Sequence, residues 1–577
     1  MKTETILHDG RGLLMKSRKM LSEPIAYFLF IGMGFWFCFL CFAVETLTKQ
    51  GNILWTGSYI GRLMAGSLAA GALLGGLFCF FLYRSARAQN RTATAAPESR
   101  MACGRVFAGA LLLIVLCWFP AYLAYYPAIC AYDMPIQTGQ IVSGSYNDHH
   151  PLAHTLLVKG AMDLGRNLFG SVNTGIGLLS FLQLLFLASA FAGGIAALHK
   201  HGVRVWVQIL MLLYSAVFPF HMFMSVSITK DTIFTGFFMI VLLALCILLR
   251  KGENSLRPGR ADFPLFLGAV GIILFRNNGK YAMLVLLAVL ALVLLFGRAR
   301  RRLWGRLFLC LAAAFLLGNL ILSALFYGLN AQQGDKREML SMPIQQLARC
   351  MLYHGGVGVL PEDDNTMSDE DKALVGDFLL DEGYKEYDPR ISDPVKSHTN
   401  TYVVRYRTLE FAKTYLHLLL EYPGDFINAA LALNAGYLSP FDVTHSAVNQ
   451  DSGEKGLGYV QTRWVEEELD VRGIYQDSKW EGLHESLEEW ADSNSYLKIP
   501  VLKYLFVPGT WLWLCLLTAG YLLVHRRFGM CIPLALFAGY YITLFLGPTV
   551  QLRYIYPVMA ALPFTVLLCK CEVRKGK

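Results

Sequence analysis

The sequence predicts an all-α integral membrane protein with about twelve transmembrane helices. A mostly helical extracytoplasmic domain, residues 329–502, is set between the ninth and tenth. Three observations predict this class. Of 577 residues, 55% are hydrophobic and only 16% charged, against about 25% charged in soluble globular proteins. The apolar residues gather in runs long enough to cross a bilayer, which needs ~20 helical residues for a ~30 Å core. The Lys and Arg residues collect in alternate loops, as the positive-inside rule requires of short cytoplasmic connections.

Taken in order, Arg11, Lys16, Arg18 and Lys19 precede the first run and hold the N-terminus in the cytoplasm. That run is too long for the core of a cleaved signal and reads as an anchor. Spans are predicted at 25–47, 63–83, 104–125, 174–198, 204–224, 231–249, 262–276, 280–297, 303–328, 503–524, 528–547 and 552–570. Basic loops at Arg84/Arg87/Arg91, Lys200/Arg204, Arg250/Lys251, Arg298–Arg302 and Arg526/Arg527, with the Arg574/Lys575 tail, all fall on the cytoplasmic side of this topology. Residues 1–103 thus form a two-span N-terminal unit, 104–328 a membrane core with a first outer loop at 126–173, and 503–577 three last spans and a cytoplasmic tail. Residues 329–502 hold most of the acids and the Gly/Pro/Asp/Ser punctuation of a folded domain, with helices expected at 404–420, 424–437 and 462–491.

The net charge of +9 follows from this topology and excludes nucleic acid as the partner; the bilayer is the partner the sequence implies. Cysteines lie mostly inside apolar runs, where they pack as small hydrophobes. Cys130 and Cys350 fall outside, so one disulfide is open to them. Gly32–Gly34, a G-x-G inside the first span, reads as helix packing.

Unusual polar residues form four clusters, all at the outer ends of spans. The first runs from Tyr125-Tyr126-Pro127 through Cys130, Tyr132, Asp133 and Gln137 to Tyr146-Asn147-Asp148-His149-His150-Pro151 and His154-Thr155. The others are Thr229-Lys230-Asp231, Arg276-Asn277-Asn278-Gly279-Lys280 and Gln551-Leu552-Arg553-Tyr554. Ionisable groups at the membrane are expensive and point to function. Each also has a plainer role. Asp133 can solvate a loop, Lys230 can snorkel, and Arg276 and Arg553 can flank their spans. Asn147 or Asp148 is expected to cap a helix with Pro151 in its first turn. Asp133, Asp148 and His150 are the candidate ligands for a divalent cation such as Mg or Mn. Outer-face arginines suit bidentate phosphate binding. No G-x-x-x-x-G-K-S/T and no dinucleotide fingerprint is present, so no nucleotide cofactor is expected.

The succession of Tyr-Tyr-Pro, Asp133, Gln137, Tyr146–Thr155, Thr229–Asp231, Phe275–Gly279, Ser341–Arg349 and Arg553–Pro557 resembles a family of bacterial multi-pass membrane proteins similar to the GT-C superfamily of glycosyltransferases. The resemblance covers roughly 104–570. It implies a GT-C-like core in the bacterial cell membrane, both termini cytoplasmic, and an enzyme moving a sugar from a polyprenyl phosphate to a cell-surface glycan outside the cytoplasm. It places Asp133 at the position of the catalytic Asp. Two spans precede this core, which departs from the superfamily's order. Gln137, Asp148, His150, His154, Lys230, Asp231, Arg276, Asn277, Asn278, Arg553 and Tyr554 are then the expected substrate contacts. A flippase for lipid-linked precursors, a polysaccharide polymerase and a scaffold whose outer domain binds a partner are the rival readings.

Overall fold

Inside a bilayer no water satisfies backbone N–H and C=O groups, so apolar runs of this length fold as helices. The computed structural model describes residues 23–89, 102–130, 133–251, 261–297, 300–442, 448–449, 454–455 and 466–570. The basic N-terminal segment, Arg91, Arg298, the Arg574/Lys575 tail and Tyr132 lie outside the described residues.

Helices α1 (Glu23–Gln50) and α2 (Gly57–Gln89) form a hairpin. Gly34 faces Gly71, and a Cβ on either would overlap the other helix's backbone, so the two helices pack at backbone contact. Gly32 of the same G-x-G faces open space. Next come α3 (Cys103–Ala124), the short α4 (Asp133–Ser143), α5 (Leu152–Phe169) and α6 (Val172–Lys200). The fifth predicted span is two pieces, α7 (Val205–Val217) and α8 (Pro219–Val226), bent by 49°. Pro219 has no N–H to continue the ladder, which accounts for the break at Phe218. Then follow α9 (Lys230–Lys251), α10 (Asp262–Phe275), α11 (Asn277–Phe296) and α12 (Arg301–Gly328).

After the outer domain the chain closes with three further helices. Nine helices among the described residues are long and apolar enough to cross a membrane, or ten if the bent pair is one span. Asp262–Phe275 and Pro508–Val524 are apolar but shorter. The predicted start at 503 shifts because Leu502–Phe506 is a 3-10 turn and Pro508 opens the helix.

The 329–502 region begins with α13 (Ser341–His354), α14 (Asp369–Phe378), α15 (Asp393–Ser397), α16 (Thr401–Tyr406), α17 (Thr408–Glu421), α18 (Pro423–Leu433) and α19 (Ala435–Leu438). Its later part holds α20 (Glu466–Asp470), α21 (Glu481–Asp492) and a two-residue antiparallel pairing, Val448–Asn449 with Glu454–Lys455. The expected helix at 404–420 breaks at Arg407, and that at 462–491 is interrupted by the loop 471–480. The domain has its own core, including Leu347, Cys350, Val375, Phe378, Leu418 and Phe426. Cys130 and Cys350 are both free and sit in separate cores, so the disulfide open to them in sequence is not formed.

The last three helices are α22 (Pro508–Val524), α23 (Ile532–Phe545) and α24 (Leu552–Lys570). Helices α9 and α24 are the most enclosed of the bundle, followed by α6 and α23. At one end of it the loop arginines cap exposed carbonyls. Arg250 donates to Leu568 O (2.5 Å), Arg300 to Leu249 O (3.2 Å) and Arg527 to Cys569 O (2.9 Å). At the opposite end the 329–502 domain is tied to the bundle. Ser392 N donates to Pro548 O (2.9 Å) and Asn434 Nδ2 to Phe545 O (3.1 Å). Asn428 Nδ2 reaches Asn52 Oδ1 (2.7 Å) in the α1–α2 turn. Loop 471–480 runs back over the first outer loop, with Asp477 N on Tyr126 O (3.0 Å) and Lys479 N on Leu123 O (2.8 Å).

A candidate charged site at the head of the bundle

The two most enclosed spans, α9 and α24, begin at the same end of the bundle, and both begin with charged residues. Lys230 and Asp231 open α9; Arg553 is the second residue of α24. Arg276 is the single residue separating α10 from α11, in extended conformation. Asp133 stands in the first turn of α4, where the helix dipole favours a carboxylate. These segments, as much as 420 positions apart in sequence, meet at one place.

Asp133 Oδ2 lies 3.0 Å from Lys230 Nζ and 3.4 Å from Arg553 Nη1. The same Arg553 Nη1 is 3.3 Å from Asp231 Oδ2, whose other oxygen pairs with Arg276. Lys230 Nζ also reaches His150 Nδ1 at 2.9 Å. The result is a continuous chain, His150–Lys230–Asp133–Arg553–Asp231–Arg276. Apart from Lys230, which is partly buried, its members are at most 6% exposed. Three fixed cations face two carboxylates, so with His150 neutral the chain carries one net positive charge.

Its surroundings fix the guanidinium groups. Arg276 lies over the rings of Phe234, Tyr540 and Tyr554, at 5.7, 5.5 and 5.2 Å. Arg553 donates to Gln551 Oε1 (2.8 Å) and to the Tyr554 hydroxyl (3.0 Å). Burial acts to raise the Asp133 pKa, but Lys230 and Arg553 outweigh it and hold the carboxyl well below its usual range. Burial, followed by the charge of Lys230, pushes His150 down to about 2 and His154 down to about 4. Both imidazoles are therefore neutral at physiological pH.

Gln137 and His154 form a second layer. The Gln137 amide pairs with His154 Nδ1 and donates to Thr155 Oγ1 (3.0 Å), fastening α4 to α5. The Nε2 atoms of His150 and His154 are buried without a hydrogen-bond partner. Asp148 plays a different part. Its Oδ1 accepts from Gly334 N, its own N donates to Gln332 O (3.1 Å), and Asn277 Nδ2 donates to its carbonyl (3.4 Å). Asp148 thus pins the start of the outer domain. It is not the helix cap that the sequence favoured, for α5 begins at Leu152 with Pro151 as N-cap and no side-chain cap. Asn278 is half-buried and makes no side-chain hydrogen bond among the described residues.

Asp133, Asp148 and His150 do not converge on one point that a divalent cation would occupy. The Lys230 ammonium stands between Asp133 and His150, and Asp148 is committed to Gly334. The group whose donor atoms come within 4.8 Å of one another is Asp371, His417 and Glu421, in the outer domain.

Sequence reasoning missed three contributors. Phe234 and Tyr540, under Arg276, sit in apolar runs that give no signal. Arg472 comes from loop 471–480 and donates to Pro135 O and Thr138 Oγ1, both at 2.6 Å, so it holds the first turns of α4.

The description Family of unknown function (DUF6020) matches residues 141–577, about three quarters of the sequence. The chain belongs to this family. The matched part contains Asp148, His150, His154, Lys230, Asp231, Arg276 and Arg553, while Asp133 and Gln137 lie just before it. No curated protein and no solved structure matches the chain.

Proposed function

We propose that this protein is a membrane glycosyltransferase of the GT-C type, taking a sugar from a polyprenyl phosphate and passing it to a cell-surface glycan acceptor on the extracytoplasmic face. The observation that carries the reading is the shared pairing of Asp133. A buried carboxylate is held by Lys230 and Arg553, the same cations that would receive a phosphate. Phosphate oxygens compete well for guanidinium and ammonium groups. A bound donor would draw Lys230 and Arg553 away from Asp133, raising its basicity where the acceptor must be deprotonated.

In the proposed step the acceptor hydroxyl attacks the anomeric carbon. Its proton passes to Asp133, and the bond from that carbon to the phosphate oxygen breaks. The charge left on the lipid phosphate is met by Lys230, Arg276 and Arg553. A positioned base contributes typically ~10²–10⁴-fold. The neutral His150 and His154 offer buried Nε2 atoms to sugar hydroxyls, and Tyr554 closes the phosphate side. The phosphate charge is met by these three cations, while Asp148 stays committed to Gly334.

The reading includes twelve spans, with α7–α8, α10 and α22 crossing as well, and the charged site outside the cytoplasm. Gathering of the charge at one end of the bundle favours transfer at one face over carriage across it, since transporters place such groups near mid-bilayer.

The test is complementation of a deletion strain with wild type or Asp133→Asn, with surface glycans read by mass spectrometry and membrane levels of both proteins matched. Loss of one sugar that only wild type restores supports transfer. Equal restoration by both removes Asp133 as the base.

A further inference from the structure

The outer domain exposes an apolar stripe that its own fold leaves uncovered. Leu409, Lys413, Leu416 and Leu420 recur at helical spacing on one face of α17, opposite the buried Phe411, Thr414 and Leu418. All four are exposed, and Leu420 is 81% so. On the neighbouring α16, the Tyr402 and Tyr406 rings lie 4.9 Å apart in a tilted arrangement and are also exposed. Water-facing domains rarely leave so long an apolar patch bare.

Both ends of the stripe are tied to the ends of spans. Helix α16 packs on the turn Lys336–Met339, which follows closely on the end of α12. Immediately after α17, Gly424 lies against Trp55 of the α1–α2 turn, whose indole donates to Asn428 Oδ1 of α18 (2.9 Å). Met339 at one end and Leu54 at the other are 70% and 71% exposed. A 14-residue helix covers ~21 Å, so α17 runs between the segment that follows α12 and the α1–α2 turn.

We propose that the α16–α17 face lies on the bilayer surface, its leucines in the acyl boundary and its tyrosines, Arg405 and Lys413 among the headgroups of the leaflet beside the 329–502 domain. Three features select lipid over a soluble partner. The stripe belongs to a stretch of chain held against the segments that follow α12 and α1, where Met339 and Leu54 are also exposed and apolar. Tyrosine is the residue of membrane interfaces. The basic groups bordering the leucines can reach anionic headgroups while their stems stay apolar. The inference requires only that the bundle spans a membrane and stands apart from the transferase reading.

The unmodified protein in nanodiscs of phosphatidylethanolamine and phosphatidylglycerol, doped with a phospholipid bearing a diazirine high on its acyl chain, supplies the first measurement. Photolysis should place lipid adducts on peptides from 401–421 as well as on the spans. A second measurement uses spin labels at Leu409→Cys, Leu416→Cys and Leu420→Cys, with Asp369→Cys as the aqueous control. The ratio of oxygen to nickel-chelate accessibility should rise at the three leucine positions above that of the control. Adducts confined to the spans, with nickel access at the leucines equal to the control, would overturn the proposal in favour of a solvent-facing stripe. Protection from both reagents with dipolar broadening between labels would overturn it in favour of a second copy.

Discussion

Replacing Asp231 by Asn would leave Arg276 and Arg553 buried together without the carboxylate that pairs with both. Breaking a buried ion pair from one side costs about 3–5 kcal/mol, because the remaining charge keeps its desolvation penalty. Asp231→Asn should therefore lower the thermal midpoint in detergent substantially, while Asp231→Asn with Arg276→Met recovers much of it. An unchanged midpoint in the single variant would mean that Asp231 is not the electrostatic centre of the cluster. Residue chemistry also sets a pH response in the outer domain. His354 donates to Asp364 (2.9 Å) and Asp425 (2.8 Å), and although burial opposes its charge, the two carboxylates raise its pKa. The folded pKa is raised, so its stabilising contribution is full below the unfolded value of about 6.5 and disappears as pH climbs through the folded value. The thermal midpoint should fall across that window and the fall should flatten in His354→Gln. These single-residue roles were unevenly legible in sequence. Asp133, Lys230, Arg276 and Arg553 stood out because charge at a span end is costly, whereas Phe234 and Tyr540 were hidden among apolar neighbours. Asp148 looked like a site residue or a cap because its partner, Gly334, is 186 positions away.

At the scale of elements, apolar length alone located the nine helices long enough to cross a membrane, and what it missed were breaks set by local geometry. The bend at Phe218–Pro219 and the 3-10 turn at Leu502–Phe506 depend on one proline and one short turn inside runs that remain apolar. Packing of α4 was equally hidden, because it rests on Arg472 from a distant loop. Arg472→Ala removes charged-donor hydrogen bonds to Pro135 O and Thr138 Oγ1, at about 1.5–3 kcal/mol each. Since α4 carries Asp133, the signature expected under the proposed transfer reaction is a fall in turnover with little change in donor KM. Arg472→Lys should restore part of it, whereas a rise in KM alone would remove Arg472 from the positioning of Asp133. The α1–α2 hairpin gives a purely structural test. Gly71 sits against the backbone at Gly34 and Phe35, so Gly71→Val should force the helices apart at about 1–3 kcal/mol. Thermal unfolding would register that loss, and Gly32→Val, at a position facing open space, is its control.

For the whole molecule, the placement of the site argues that the N-terminal hairpin is an accessory. Every member of the charged chain is carried by elements from α4 onward, and the family match begins at residue 141. What α1 and α2 contribute is a dock for the outer domain. Asn52 and Ile53 accept from Asn428, Asn52 also accepts from Arg349 Nη2 (2.7 Å), and Trp55 donates to Asn428. Arg349 in turn holds Asp425, the carboxylate that charges His354, so the dock and the pH-sensitive pair are one network. Deleting residues 1–101 removes an even number of spans, and the basic loops that follow still orient the remainder. The truncated protein should insert, keep the charged chain assembled and retain the transfer activity proposed above. It should unfold at a lower temperature and be cut more readily by protease within 329–442, because Asn428 and Arg349 lose their partners in the turn. Glycan complementation and limited proteolysis on matched membranes read the two effects separately. Activity lost from a truncated protein that resists protease as well as wild type does would make the hairpin part of the catalytic unit, and would place a substrate-binding role on α1 or α2.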